Sequence, residues 1–383
     1  MRFAGLFAGI GGFERGLNEA GHETALLSEI HPGARRVLEV RFPDAPLVGD
    51  VCSVKDLPSD VDGIVAGFPC QDLSQAGQGK GLGGSRSGLV SEVFRLAEGN
   101  RSDWIILENV PFMLQLGRGA AMLSITSKLE ELGYRWAWRV VDTLSFGLPQ
   151  RRMRVFLVAS RSSDPAGVLF SDNDHLDRPK SAVGEKAHGF YWTEGRTGLG
   201  WAPDAVPTLK NGSAVGIPSP PAILLPSGEI IKPDIRDAER LQGFEADWTL
   251  PAEEVAKSSS RWALVGSAVS VPVAKWLGQR LASPGEYDST RDMPWSLSST
   301  LPRAARFDGA KRHVVSATTD PVAITSVPLA EFLLFPGTPL SHRAASSFLA
   351  RTRIAKLRFQ PGFIAAVEGY VSASRPAEAL AAE

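Results

Sequence analysis

The run GFPCQDLS (Gly67–Ser74) places a thiol, Cys70, directly after a proline and just past DGIVAG (Asp62–Gly67), an apolar stretch that reads as a buried strand. A cysteine with a purely structural role belongs within such a strand, and the second cysteine, Cys52, fits that reading in its own apolar neighbourhood. A thiol at a strand exit is placed to react. Its ordinary pKa is about 8.5, so it needs activation, but its thiolate is a strong nucleophile. ENV (Glu108–Val110) ends another apolar stretch, WIILENV. A carboxyl kept protonated there by burial could donate to a ring nitrogen. QRRMR (Gln150–Arg154) opens a further strand, and period-two alternation puts Arg152 and Arg154 on one side of it. Guanidinium groups at that position could hold a carbonyl oxygen or a carboxylate.

Near the start, FAGIGGFE (Phe7–Glu14) follows the first apolar stretch. Gly9, Gly11 and Gly12 allow the backbone to approach a ligand at a strand-to-helix turn. A nicotinamide-dinucleotide site would carry glycine where Glu14 stands. A carboxylate beside a helix start repels pyrophosphate, so a nucleoside ligand without phosphate fits better. Glu29 ends the second strand, where an acid can accept hydrogen bonds from ribose hydroxyls. Asp50, in VGDV, is placed to meet an adenine amino group.

These residues need a scaffold that brings strand ends together. RFAGLFAG, ETALLSEI, DGIVAG, DWIILENV, YRWAWRVVDTLSFG and RRMRVFLVAS read as strands. GFERGLNEAG, PGARRVLEVRF, GLVSEVFRLAEG and AAMLSITSKLEELGY read as helices between them. Repeated βα units predict an α/β, doubly wound fold with a mostly parallel sheet and ligands at the carboxyl ends of its strands. The chain has 383 residues, 43% of them hydrophobic, and only two cysteines. That composition predicts a globular protein of more than one domain, without a disulfide framework or a cysteine-built zinc site. No apolar run is long enough to span a membrane, which predicts no membrane partner, and the two cysteines fit a reducing, cytoplasmic location. The net charge of −1 shows no global attraction to nucleic acid, yet bases outnumber acids between Leu301 and Pro361.

Taken together, the motifs resemble those of the prokaryotic DNA (cytosine-5)-methyltransferases. FAGIGGFE is similar to the family's S-adenosylmethionine loop, GFPCQDLS to its Pro-Cys-Gln loop, ENV to its glutamate motif and QRRMR to its Gln-x-Arg-x-Arg motif. RDAERLQGFEADW (Arg236–Trp248) and GSAVSVPVAKWLG (Gly266–Gly278) are similar to its two late motifs, in the family's order, over roughly residues 2–282. The resemblance implies a Rossmann-like catalytic domain over 1–160 completed by 260–283, a small target-recognition domain over 161–259, and a C-terminal helical extension over 284–383. It implies methyl transfer from S-adenosylmethionine, without a metal, to C5 of a flipped cytosine in double-stranded DNA.

By the same resemblance Cys70 is the nucleophile, Glu108 the acid, and Arg154, supported by Arg152, the partner of the base. Phe7, Ala8, Gly9, Gly11, Gly12, Glu29, Ile30, Asp50, Pro69, Leu89, Ser267 and Ala268 would meet the cofactor. Gln71, Ser74 and Arg86 would meet DNA, with the glycines between 77 and 84 hinging a flap. The usual setting of such enzymes is restriction-modification or phage defence, with a cognate endonuclease or defence protein as partner. Ser267 stands where the family's last motif usually has asparagine. The room for a recognition domain before Val206 is small, so the extension is expected to share in DNA contact. Two alternatives are a tRNA methyltransferase of the same fold and a catalytically silent DNA-binding subunit.

Overall fold

Strand β5 (Trp104–Asn109) is buried along its whole length, as a strand covered on both faces must be. Its side chains alternate between two cores. Ile105 and Leu107 join one apolar cluster, and Trp104 and Ile106 join another. The computed structural model describes residues 1–69, 88–178, 180–196, 198–212, 220–295 and 300–375. Cys70, Gln71, Ser74, Arg86 and the glycine-rich run at 77–84 lie outside the described residues.

Around β5 the chain builds a ten-stranded sheet. On one side stand β4 (Gly63–Gly67), β1 (Arg2–Leu6), β2 (Glu23–Ser28) and β3 (Leu47–Val48), and every pairing from β5 to β3 is parallel. On the other side stand β8 (Met153–Ser160) and β6 (Arg135–Asp142), both pairings antiparallel. The sheet is therefore parallel in one half and antiparallel in the other, rather than mostly parallel. The stretch QRRMRVFLVAS is also not one strand. β7 (Gln150–Arg151) leaves the large sheet to pair with β11 (Val206–Pro207), and Arg152 sits at the break.

Helices cover both faces. α3 (Gly88–Asn100) and α4 (Ala120–Glu131) supply Val93, Phe94, Ile125 and Leu129 to the first core. α1 (Gly12–Glu19), the short α5 (Ala166–Leu169) and the late α8 (Val271–Ala282) cover the second. α1 and α8 approach so closely that a Cβ on Gly16 would lie 2.5 Å from both the Ala274 Cβ and the Val271 carbonyl oxygen. α2 (Pro32–Arg41) starts as its sequence predicts, with proline in the first turn and His31 Nδ1 accepting from the Ala34 amide at 3.3 Å.

A second, five-stranded sheet is formed by β9 (His188–Phe190), β10 (Ala202–Pro203), β12 (Ala222–Leu224), β13 (Ile230–Lys232) and β17 (Thr338–Pro339). Helices α6 (Ile235–Arg240) and α7 (Ser260–Ser267) lead back from it to α8. The C-terminal stretch divides between the two sheets. β14 (Asp292–Pro294), β15 (Ala304–Phe307) and β16 (Arg312–Val315) extend the large sheet beyond β6. After the short α9 (Leu329–Phe332), β17 and the helices α10 (His342–Arg353) and α11 (Phe363–Ala373) join the small one. The helices expected in the extension are present, but its first half also carries short strands that join the large sheet. Its apolar residues complete cores begun elsewhere, which makes a separate appendage unnecessary.

That completion is substantial. Phe363 of α11 is fully buried, with its ring 5.2 Å from Phe190, 6.1 Å from Phe348 and 4.7 Å from Trp201. Among the described residues no helix is long and apolar enough to cross a membrane. Phe363→Ala should destabilise the small sheet by about 3–5 kcal/mol. Hydrogen exchange should show lost protection in β9 and β12 with β1 and β4 unchanged. Unchanged protection in β9 would show that α11 is dispensable to this core.

Candidate active site

The site lies where β4 and β5 end and the antiparallel β8 begins. Gly67, the last residue of β4, is in register with Glu108 of β5. The chain leaving Gly67 runs through Phe68 and Pro69 towards Cys70, so the run that carries the thiol begins beside the glutamate. Asn109 Nδ2 donates to the Phe68 carbonyl at 3.0 Å and pins that exit. Asn109 belongs to the ENV motif, yet residue-type reasoning gave it no task.

Because β8 runs against β5, a residue near its start meets one near the end of β5. Glu108 is opposite Phe156, and Arg154 is the diagonal neighbour on the same face. Arg154 Nε lies 2.9 Å from Glu108 Oε1, and both side chains are largely withdrawn from water, at 13% and 10% exposed. Burial pushes the Glu108 carboxyl up from its ordinary value, against the opposing pull of Arg154 and, more weakly, Arg152. Burial also lowers the Arg154 pKa, against the pull of Glu108. A carboxyl in this balance keeps its proton to higher pH than an ordinary glutamate and can give it to an incoming base.

Arg152 and Arg154 do share a buried environment, but they do different things. The Arg152 guanidinium donates to the carbonyls of Leu209 at 3.1 Å, Gly266 at 3.2 Å and Ala268 at 2.6 Å. It therefore positions the backbone around the site. Next to it, Gln150 donates to the Leu241 carbonyl at 2.8 Å and accepts from the Leu209 amide at 3.0 Å.

On the other side of β1 a cavity of about 320 Å³ opens at the ends of β1, β2 and β4. Its lining includes Phe7, Gly9, Glu29, Ile30, Asp50, Pro69, Leu89 and Ser267, all singled out in the sequence. It also includes Ser28, His31, Gly67, Asn211 and Leu264, which were not; Asn211 sits in the run VPTLKNGS, whose polar turn was the available signal. Glu29 is fixed by the amides of Gly9 at 2.8 Å and His31 at 2.7 Å. Asp50 accepts from the Cys52 amide at 2.9 Å. Ile30 is 71% exposed at the rim, an apolar surface on which a flat ring can rest.

Ala8, Gly11, Gly12 and Ala268 do not line the cavity. Gly11 caps α1 at φ 84°, and a Cβ there would strike the Phe42 ring at 2.3 Å. A Cβ on Gly12 would lie 2.2 Å from the Val269 carbonyl oxygen. These glycines serve the approach of α1 to its neighbours, while Gly9 serves the cavity. The late motif supports the same loop, because Trp248 Nε1 donates to the Ile10 carbonyl at 2.8 Å. Among the described residues no group of three or more His, Cys, Asp or Glu is arranged to hold a metal ion.

Comparison with known proteins gives the geometry a family. Residues 1–185 match the family described as C-5 cytosine-specific DNA methylase. The chain is 47% identical to the Type II methyltransferase M2.BsuMI of Bacillus subtilis, over 96% of this chain and 97% of that protein. It is 36% identical to the Type II methyltransferase M.BanI of Aneurinibacillus aneurinilyticus, over 47% of this chain and 43% of that one. Among solved structures, the Entamoeba histolytica methyltransferase EhMeth aligns with a TM-score of 0.54 at 14% identity, over 73% of this chain and 97% of that one, a likeness of fold alone. The 47% identity over nearly the whole length of both chains, together with the match of residues 1–185, places this chain in the C-5 cytosine-specific DNA methylase family.

Proposed function

We propose that this protein transfers a methyl group from S-adenosylmethionine to C5 of a cytosine turned out of duplex DNA, through a covalent adduct with Cys70. The single observation that carries the reading is the buried Glu108–Arg154 pair, 2.9 Å apart, in register with the strand end from which the Cys70 run departs. Cytosine C5 is by itself a poor nucleophile. The Cys70 thiolate attacks C6 and forms a C–S bond, the ring electrons move towards N3, and Glu108 gives N3 its proton. C5 then has enamine character and attacks the methyl group, and S-adenosylhomocysteine leaves. Loss of the C5 proton to solvent and β-elimination break the C–S bond and free Cys70, and N3 returns its proton to Glu108. Arg154 holds the cytosine O2 and keeps Glu108 in place.

The cavity suits the cofactor on its own chemistry. Its volume is within the usual range for small-molecule sites. Glu29, oriented by two backbone amides, can accept from ribose hydroxyls, and Ile30 offers an apolar face to adenine. The sulfonium of S-adenosylmethionine supplies an electrophilic methyl group. The named relatives are Type II methyltransferases, which supports a restriction-modification setting with a cognate endonuclease.

Bisulfite sequencing of DNA from cells producing the protein should reveal 5-methylcytosine at one recurrent sequence, and Cys70→Ser should abolish it. Methylation of tRNA but not of duplex DNA would overturn the reading. Glu108→Gln should lower turnover by about 10²–10⁴-fold. Wild-type activity should fall as pH rises and Glu108 loses its proton, and the variant's residual activity should lack that limb, as read from single-turnover pH profiles.

Contact with DNA by the C-terminal stretch falls on fewer residues than its charge suggests. Arg306 and Arg312 pair with Asp292 and Glu130, and Arg353 pairs with Glu368. Arg351 donates to the carbonyls of Trp192 at 2.6 Å and Glu194 at 3.0 Å. Lys356 and Arg358 are exposed and enter none of these pairs. Neutralising both should reduce the slope of log affinity against log salt by about 2, without changing the methylated sequence. Arg351→Ala should instead lower the melting temperature. An unchanged salt slope in the double variant would remove this stretch from the DNA interface.

A further inference from the structure

Glu14 is a buried carboxyl that the proposed chemistry does not use. It lies in the first turn of α1, just after the loop whose Phe7 and Gly9 line the cavity, and it is 3% exposed. Its Oε2 is buried without a hydrogen-bond partner. The space it fills exists because residue 5 has no side chain: a Cβ on Gly5 would lie 1.9 Å from Glu14 Oε1. Gly5 is flanked in the sheet by Leu27 and Val65. Ser28 and Gly67, one and two residues further along those strands, line the cavity. The carboxyl therefore rests against Gly5, whose level in the sheet is one to two residues, roughly 3–7 Å along the strands, from the cavity wall.

The charged groups around it leave it uncompensated. On α1, Arg15 is engaged by Glu19 and Glu245. On α8, Lys275 is engaged by Glu19. Past the end of β2, Glu29 adds a second negative charge. β1 and β4 bring no ionisable side chain beside Gly5, since Ala4, Leu6, Ile64, Val65 and Ala66 surround it. An apolar side chain or an amide would fill this space without an orphaned acid. A cationic ligand would give the acid a counter-charge.

We infer that Glu14 is a positioning residue for the cationic amino-acid end of the cofactor, and that it gives up a proton to solvent when that end binds. The inference rests on the reading that the cavity takes S-adenosylmethionine. Burial, with a smaller push from Glu29, raises the Glu14 pKa to about 7. Near neutral pH the free protein is then a mixture of acid and carboxylate. A nearby positive charge favours the carboxylate, so affinity should rise with pH up to about 7 and then level off.

The sign for stability is opposite. The folded-state pKa lies above the ordinary value of 4.5, so the folded state holds the proton more tightly than the unfolded chain. This contribution to stability is complete below about 4.5 and is lost as pH rises through about 7.

Calorimetric titration of S-adenosylmethionine at pH 7, in buffers of different ionisation enthalpy, counts the protons released. Wild type should release about half a proton more than Glu14→Gln. 5′-Methylthioadenosine, which lacks the amino-acid end, should show no such excess. Without ligand, wild type should lose melting temperature between pH 6 and pH 8 relative to Glu14→Gln. Equal proton counts for the two proteins, or the same excess with 5′-methylthioadenosine, would overturn the inference while leaving the cofactor reading intact. No binding of S-adenosylmethionine by wild type would overturn both. Should the variant not fold, the comparison of the two ligands on wild type decides alone.

Discussion

A fully buried guanidinium needs several acceptors, and that requirement organises this molecule. Removing Arg152 from water is costly, and burial drives its pKa well below the ordinary value. The cost is offset by the carbonyls of Leu209, Gly266 and Ala268, which come from segments far apart in the chain. The hydrogen bonds tie the end of α7 and the run after β11 to the start of β8. With α7 held there, α8 can lie along α1, and Ser267 reaches the cavity wall. The late return of the chain is thus bonded to the same strand start that carries Arg154.

The acid–base pair depends on that framework. Glu108 and Arg154 meet because β8 is antiparallel to β5, and they remain meaningful because both are largely withdrawn from water. In water a pair at this distance would leave the glutamate a plain carboxylate. Under burial, the penalty on its charge and the attraction of Arg154 act in opposite senses, and the net effect is upward. Asn109 then couples the geometry of this pair to the exit of β4 through the Phe68 carbonyl. Strand direction, burial and one amide hydrogen bond are enough to hold an acid, a cation and the exit of β4 at one edge.

The C-terminal stretch illustrates how charge counts mislead. Its arginines suggest a surface for phosphate, but most have intramolecular work. Arg306 is bound by Asp292 and Asp164, and Arg351 satisfies carbonyls of the loop after β9. Long basic side chains with apolar stems are well suited to such joints. The stretch lengthens the large sheet with β14, β15 and β16, and it closes the core of the small sheet with α10 and α11. The small sheet, short in the middle of the chain, is enlarged by residues from the end of the chain.

Local chemistry was legible in the sequence. The strands DGIVAG and WIILENV, the proline-started α2, and the strand-end positions of Glu29 and Asp50 follow from apolar runs and turn residues, because these depend on near neighbours, whereas Ile30 and Ser267 were marked only by the resemblance of their motifs to the family's. The roles of Gly11 and Gly12 were not legible, since their lack of a side chain answers to Phe42 and Val269. Nor was the different work of Arg152 and Arg154, which alternate identically but face carbonyls in one case and a carboxylate in the other. The antiparallel half of the sheet and the division of the C-terminal stretch were also hidden, because strand direction and partner choice are set by burial of surfaces remote in sequence. Residue type and order determined which groups could react. Only tertiary packing decided which of them are dry, which are paired, and therefore which can hold a proton.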